Sequence, residues 1–278
     1  MARPVRKRTL QRWRKLLFLL ALATVLLIAE AIGSTALLKT GLATGWLLLV
    51  LVVGLALYNL RKKLPFLPLG SAVTWLQIHI YMGLFSGILF GLHLQWQLPR
   101  GIFEIVLALL YSVVFVSGVL GLIVSRVFAR RLSIRPGEFL FQRISPMRHQ
   151  LLNQVERLVI RSMETTESTG VPEFYARRLK PFFERPRHFW HHLVLSNRPV
   201  SLLLSELQSL ERFLNETERD VMRPIGEFVK QKDDLDFHFA HQATLRYWLF
   251  VHVPLTYALL CFAAIHVVLV YAFGGAIS

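Results

Sequence analysis

LRYWLFVHVPLTYALLCFAAIHVVLVYAF at residues 245–273 and SAVTWLQIHIYMGLFSGILFGLHLQW at residues 71–96 are the two stretches that decide the fold. The first contains His252 and His266, the second His79 and His93, and both pairs have the spacing H-x13-H. This spacing is about four helical turns, so each pair lies on one helix face with its imidazoles about 21 Å apart. Two such helices side by side would present two His–His couples, the geometry that holds two haems ligated from both faces.

Composition indicates an integral membrane protein. The 278 residues are 54% hydrophobic with a formal net charge of +15, and the mean hydropathy is +0.47. Apolar runs of about 20 residues predict transmembrane helices, because hydrocarbon offers no partners for backbone polar groups. We predict an all-α bundle of five transmembrane helices, at Leu16–Leu38, Leu42–Leu60, Val73–Trp96, Ile102–Val124 and Tyr247–Phe273.

The single cysteine, Cys261, lies inside the last predicted span. One cysteine excludes a disulfide within the chain, c-type haem attachment, an iron–sulfur cluster and a cysteine-based zinc site.

Basic residues predict the orientation of the chain in its membrane. Cations crowd residues 1–15, the stop at residues 61–63 and the end of the fourth span at residues 126–135, whereas the opposite loops contain only Lys39 and Arg100. The positive-inside rule then places the N-terminus in the cytoplasm and the C-terminus in the periplasm. The third and fifth spans run parallel in this topology, so His79 would face His252 near the inner side and His93 would face His266 near the outer side.

Small residues accompany the histidines. Gly83, Gly87 and Gly91 follow one another at four-residue spacing in the third span. They would let a flat macrocycle approach the helix backbone. The same spacing of small residues is also common where two membrane helices pack closely. Both interpretations of Gly83 and Gly87 stay open at this point.

Residues 127–244 form a polar insert between the membrane domain, residues 16–126, and the last span, residues 245–278. We expect a mostly helical cytoplasmic insert, with helices at residues 151–163, 173–183 and 200–221 and a loop at residues 165–172. It has no Gly-rich phosphate loop and no dinucleotide fingerprint. Most of the basic excess lies beside the spans, where the orientation rule explains it, so no nucleic-acid partner is expected; the rest could meet anionic lipid head groups.

Two further histidine groups occur in the insert. His188, His191 and His192 have helical spacing that could bind a metal, but no acidic or cysteine ligand accompanies them, and their aromatic neighbours favour an interfacial helix. His238 and His241 precede the last span and could serve quinone or proton exchange, or simply belong to an interfacial segment.

The two H-x13-H pairs resemble the di-haem core of cytochrome b in quinol–cytochrome c reductases, and the membrane domain shared by ferric reductases and NADPH oxidases. The resemblance implies that His79, His93, His252 and His266 are axial ligands to the iron of two b haems. A PEWY-type quinol motif, a flavin domain and a nicotinamide domain are not found in the sequence, and the long insert fits neither family. The chain is therefore more similar to a stand-alone bacterial b-type cytochrome subunit with separate redox partners.

The function expected is electron transfer across the membrane, as a subunit of an oxidoreductase complex. Electrons would move between quinone or quinol and a partner redox protein such as a multihaem c-type cytochrome. From position alone, Arg246 or Arg61 would meet the propionates of the inner haem, and Arg100 those of the outer one. The alternatives are a proton or metal pathway lined by the same imidazoles, and a non-redox scaffold or transporter subunit with structural histidines.

Overall fold

The computed structural model describes residues 40–63, 71–135, 137, 139–165 and 170–273, and all regular structure within these ranges is helical. The predicted first span, Leu16–Leu38, and the basic residues 1–15 lie outside the described ranges. The helices are α1 Thr40–Lys63, α2 Ala72–His93, α3 Ile102–Leu132, α4 Phe141–Thr165, α5 Gly170–Phe174, a π-helix Tyr175–Leu179, α6 Lys180–Glu184, α7 Phe189–Leu193, α8 Arg198–Glu211 and α9 Glu216–Phe273.

Four of these helices, α1, α2, α3 and α9, are long and apolar enough to cross a membrane. They coincide with four of the five predicted spans, so the prediction of a multi-pass, all-helical membrane protein is confirmed at that level. Large apolar side chains on their outer faces are exposed, among them Val50, Leu109 and Val268, each more than 60% accessible. Lipid is the solvent that suits such faces.

The chain divides into two compact units, described separately here. The membrane unit comprises residues 1–123 and 249–278, and the insert unit comprises residues 124–248. In the membrane unit, Leu48, Val52, Leu89, Tyr111 and Leu259 form a buried cluster contributed by all four long helices.

Helix α2 is capped at both ends. The Ser71 hydroxyl accepts a hydrogen bond from the Thr74 N–H at its start. The predicted span ran to Trp96, but the helix ends at His93, because Gln95 and Trp96 adopt left-handed backbone conformations. The Trp96 indole then folds back onto Gly91, where a β-carbon would lie 2.7 Å from the ring. That glycine therefore makes room for the turn.

The insert unit has its own core, built around α4, α6, α8 and the first part of α9. Val155 and Val159 of α4, Phe183 of α6 and Met222 of α9 are at most 4% exposed. The prediction of one helix over residues 200–221 is wrong, because α8 ends at Glu211 and α9 begins at Glu216. A reciprocal capping box starts α9: the Asn215 side chain accepts from the Glu218 N–H at 2.9 Å, and the Glu218 carboxylate accepts from the Asn215 N–H at 3.0 Å.

Two other predicted helices of the insert differ from the structure. The helix predicted over residues 173–183 is interrupted by the π-helix Tyr175–Leu179, which precedes Pro181 in the first turn of α6. Helix α9 also continues without a break from the polar insert into the last span, so the boundary predicted at residue 245 is a change in composition, not in backbone structure.

Candidate functional site

His93 of α2 and His266 of α9 face each other in the membrane unit. Their ring centres are 6.4 Å apart and their planes are 87° apart. Two imidazoles that ligate one metal ion from opposite sides, with metal–nitrogen bonds of about 2 Å, have ring centres about 6 Å apart. The spacing of this couple therefore fits ligation of a single iron.

Two cavities include both His93 and His266 in their walls. One, of about 120 Å³, is lined mostly by apolar side chains such as Leu48, Leu259 and Tyr111. The other, of about 410 Å³, contains the polar groups Gln97, Arg100 and Glu104. The groups that would surround a planar macrocycle held between the imidazoles are the apolar side chains of the first cavity and Arg100 of the second.

A helix outside the predicted site positions the His93 ring. The Thr44 hydroxyl of α1 donates to the Gly41 carbonyl at 3.1 Å and lies 3.5 Å from His93 Nδ1. With its proton in that bond, the hydroxyl oxygen can accept from a protonated Nδ1, an arrangement that leaves the lone pair of the ring on Nε2. On the other helix, the His266 ring stacks on Phe103 at 6.3 Å.

The second couple, His79 and His252, lines one cavity of about 80 Å³. His79 Nδ1 lies 3.2 Å from the Leu55 carbonyl oxygen, which can only accept, so Nδ1 carries the proton. Ser117 Oγ lies 2.6 Å from His252 Nδ1 and 2.9 Å from the Val114 carbonyl oxygen. When the serine proton is donated to that carbonyl, Nδ1 of His252 is the donor to Oγ and Nε2 carries the lone pair.

The glycines serve different purposes. Gly83 lines the cavity shared by His79 and His252, and a β-carbon there would meet nothing within 4 Å. At Gly87 a β-carbon would lie 2.7 Å from the Phe115 ring, so this glycine admits an aromatic side chain of α3. Gly83 has the position expected for clearance beside a cofactor, and Gly87 has that of a packing residue.

Tyr111 of α3 links the two cavities, because it forms part of the wall of both. Its ring stacks between Phe90, at 3.9 Å, and Phe115, at 6.2 Å. The hydroxyl donates to Ser86 Oγ at 2.8 Å, so the buried phenol is satisfied. Sequence reasoning missed Tyr111, as it missed Thr44 and Ser117; the available signal was a polar side chain inside an otherwise apolar run.

The three arginines predicted to meet haem propionates lie in different parts of the chain. Arg100 lies in the wall of the larger cavity beside His93 and His266. Arg246 belongs to the insert unit, where its guanidinium lies over the Phe141 ring at 3.9 Å. The side chain of Arg61 is outside the described part of the structure.

Three histidines of the insert unit, His192, His238 and His241, are buried, whereas His188 is half-buried and His191 is exposed. His238 and His241 pack against Phe139, Phe128 and Phe237, and His241 Nδ1 lies 2.9 Å from the Phe237 carbonyl, to which it donates. His192 is 3% exposed. Within the described ranges, no group of three or more His, Cys, Asp or Glu side chains is arranged to hold a metal ion.

Comparison of this chain with protein-family models, with curated proteins and with solved structures finds no match.

Proposed function

We propose that the membrane unit binds two b haems, one between His93 and His266 and one between His79 and His252, and carries electrons across the membrane between them. The observation that carries this proposal is the pairing of the histidines. His93 and His266 face each other with ring centres 6.4 Å apart, and His79 and His252 line one cavity. Nδ1 of His79, His93 and His252 each lies within hydrogen-bond distance of an oxygen, and donation from Nδ1 would leave the lone pair that iron requires on Nε2.

Each haem, when bound, supplies a one-electron iron couple. The residues of this chain hold the neutral imidazoles in place, exclude water with apolar walls and provide one cation, Arg100, for a propionate. The couples are separated by fourteen residues along α2, which is about 21 Å between imidazoles at 1.5 Å per residue. Tyr111 and its two phenylalanine neighbours occupy this interval.

We further propose that the chain lies in a bacterial inner membrane, with the His93–His266 couple on the periplasmic side. The basic residues beside the spans support this orientation. Quinone or quinol would exchange electrons with one couple, and a partner redox protein, such as a multihaem c-type cytochrome, with the other. A chain with no flavin or nicotinamide fingerprint in its sequence needs such separate partners.

The test is the haem content of the purified full-length protein, measured as the pyridine haemochrome per chain. We expect about two b haems for the wild type and about one for either His93→Ala or His79→Ala. His149→Ala is the matched control, because His149 is exposed on α4 of the insert unit, and it should retain both haems.

An apoprotein purified from cells that make haem would overturn the proposal. The chain would then be a scaffold or transporter subunit whose histidines are structural. One haem per chain, lost in His93→Ala but not in His79→Ala, would restrict the proposal to the outer couple.

A further inference from the structure

The insert unit contains a cavity of about 180 Å³ that the proposed electron transfer does not use. It is formed by the end of α3, the α7 loop and α9. Its polar wall consists of Arg131, Arg135, His192 and Asn197, and its apolar wall of Ile134, Leu195 and Phe237.

The two arginines have different roles. Arg135 donates to Asp233 at 2.7 Å and to Asp234 at 2.9 Å, so its charge is neutralised. Arg135 also donates to the side-chain oxygen Oδ1 of Asn197 at 2.8 Å. The NH₂ group of Asn197 then remains a hydrogen-bond donor for a ligand. Arg131 donates to the Leu193 carbonyl, and no ion pair found in the described ranges includes it.

His192 is the second sign of a ligand. Its side chain is 97% buried, and neither ring nitrogen has a hydrogen-bond partner among the described residues. The nearest carboxylate oxygen, on Asp233, is 3.7 Å from Nε2. Burial, and then the charge of Arg135, lower the pKa of His192 to about 3, so the neutral ring offers one donor and one acceptor. A buried polar group left unpaired in this way is destabilising, and a ligand in the cavity would satisfy it.

Exposed apolar side chains occur in and beside this cavity. Ile134 and Leu195 of its wall are 74% and 47% exposed, and Trp190 and Val194, which precede Leu195 in sequence, are each more than 70% exposed. These four residues are called the apolar mouth. Leu195 also has a φ of +59°, a left-handed conformation that is strained for a non-glycine residue. The chain thus holds bulky apolar side chains out to solvent beside a positive charge.

The position of Arg131 along α3 adds a third observation. From Ile102, about 20 residues suffice to cross the hydrocarbon, and Arg131 lies in the last turn of this 31-residue helix. Arg126 and Arg130 precede it on the same helix. Arginines just beyond the apolar part of a span lie at head-group depth and attract anionic lipid.

We propose that this cavity binds the phosphate of an anionic phospholipid, with Arg131, His192 and the Asn197 amide as donors and with acyl chains lying along Ile134, Trp190, Val194 and Leu195. The positive charge of Arg131 complements a phosphate group, and the apolar mouth complements acyl chains. A lipid is therefore favoured over a free phosphate ion, which would make no apolar contact with the exposed leucine and tryptophan. The site is independent of haem binding.

The experiment is native mass spectrometry of the full-length protein, delipidated in detergent and titrated with phosphatidylglycerol, phosphatidylcholine or inorganic phosphate. The delipidated wild type should bind one phosphatidylglycerol per chain, and should bind it more tightly than phosphatidylcholine or inorganic phosphate. Arg131→Gln should weaken that binding about tenfold or more, the effect of losing a charged hydrogen bond. Arg130→Gln is the matched control, because it removes the same charge from an exposed neighbour on α3 and should leave binding intact.

Two further variants keep the test decisive. His192→Leu removes the buried donor without changing charge and should also weaken phosphatidylglycerol binding. The double variant Trp190→Ser, Val194→Ser should weaken the lipid but not inorganic phosphate. Equal affinity for inorganic phosphate and phosphatidylglycerol would overturn the lipid assignment, and equal losses in Arg130→Gln and Arg131→Gln would overturn the existence of a built site. Circular dichroism verifies that each variant is folded, and haem content verifies the other site separately.

Discussion

The imidazole of His93 lies directly against the backbone of Gly45 on the neighbouring helix α1. A methyl group at this position would be 2.9 Å from Cε1 of His93 and 3.3 Å from its Nδ1. The glycine therefore determines how closely the imidazole approaches α1, and with it the distance from His93 to His266 across the couple.

We predict that Gly45→Ala displaces the His93 ring and lowers the haem content from about two towards about one per chain. Haem quantification of the purified variant checks this. Gly54→Ala on the same helix is the matched control, because a β-carbon there meets nothing within 4 Å. Equal haem content in both variants would show that the spacing of His93 from α1 does not matter for ligation.

Ser117 supports the other couple, through the 2.6 Å hydrogen bond to His252 Nδ1. Partners of this kind orient a ligating imidazole, and their loss costs about 10–100-fold in metal affinity. We predict that Ser117→Ala weakens retention of one haem during detergent washing and shifts its midpoint potential. Ser112→Ala is the control, since Ser112 is an exposed hydroxyl on the same helix, bonded only locally to the Ala108 carbonyl. A wild-type redox titration for Ser117→Ala would contradict the role assigned to this hydroxyl.

Arg100 should tune the haem proposed to lie between His93 and His266. A cation near a haem favours the reduced iron, which carries one positive charge less. We therefore predict that Arg100→Gln lowers the midpoint potential of one haem and leaves the other unchanged, as measured by a spectroscopic redox titration. Because Arg100 is exposed, the shift should shrink with added salt. Arg143→Gln, an exposed arginine of the insert unit, should leave both potentials at their wild-type values.

The sequence could predict the four described spans and the two histidine couples, because an imidazole in an apolar run is conspicuous and its spacing fixes its face. It could not predict the supporting residues Thr44 and Ser117, because a hydroxyl bonded to its own helix backbone is an ordinary feature of a span. The break between α8 and α9 was missed because Leu203, Leu207, Leu210 and Leu214 keep helical periodicity up to it. Asn215 and Glu218 do have capping-box spacing there, so that signal was available.

His192 gives the insert unit a sensitivity to acid. Its pKa in the folded state is lowered from 6.5 to about 3, mainly by burial, so the unfolded chain binds a proton that the folded chain rejects. The contribution of His192 to the free energy of unfolding is fully present above about pH 6.5 and is lost progressively as the pH falls towards 3. We predict that the unfolding midpoint in denaturant falls less steeply between pH 7 and pH 5 in His192→Leu than in the wild type. His149→Leu, at an exposed site, should keep the wild-type slope.

The ion pair of Lys232 and Asp236 is the most deeply buried one described, with side chains 0% and 2% exposed. Lys232 also donates to the Arg185 carbonyl at 3.0 Å, and Asp236 accepts from the Arg187 N–H at 3.0 Å. The pair thereby ties the 185–187 segment to α9. Removing one partner leaves a buried charge uncompensated, which costs about 3–5 kcal/mol, whereas replacing both with apolar side chains is often neutral or stabilising.

We therefore predict that Lys232→Met and Asp236→Leu each destabilise the insert unit by about 3–5 kcal/mol, and that the double variant recovers most of the loss. Equilibrium unfolding followed by tryptophan fluorescence measures the coupling. Lys230→Met provides the scale, because Lys230 and Glu227 form an exposed pair, 55% and 66% accessible, and such pairs contribute less than about 1 kcal/mol. Additive losses in the double variant would mean that the two charges stabilise the fold through separate hydrogen bonds, to the 185 and 187 backbone, rather than through each other.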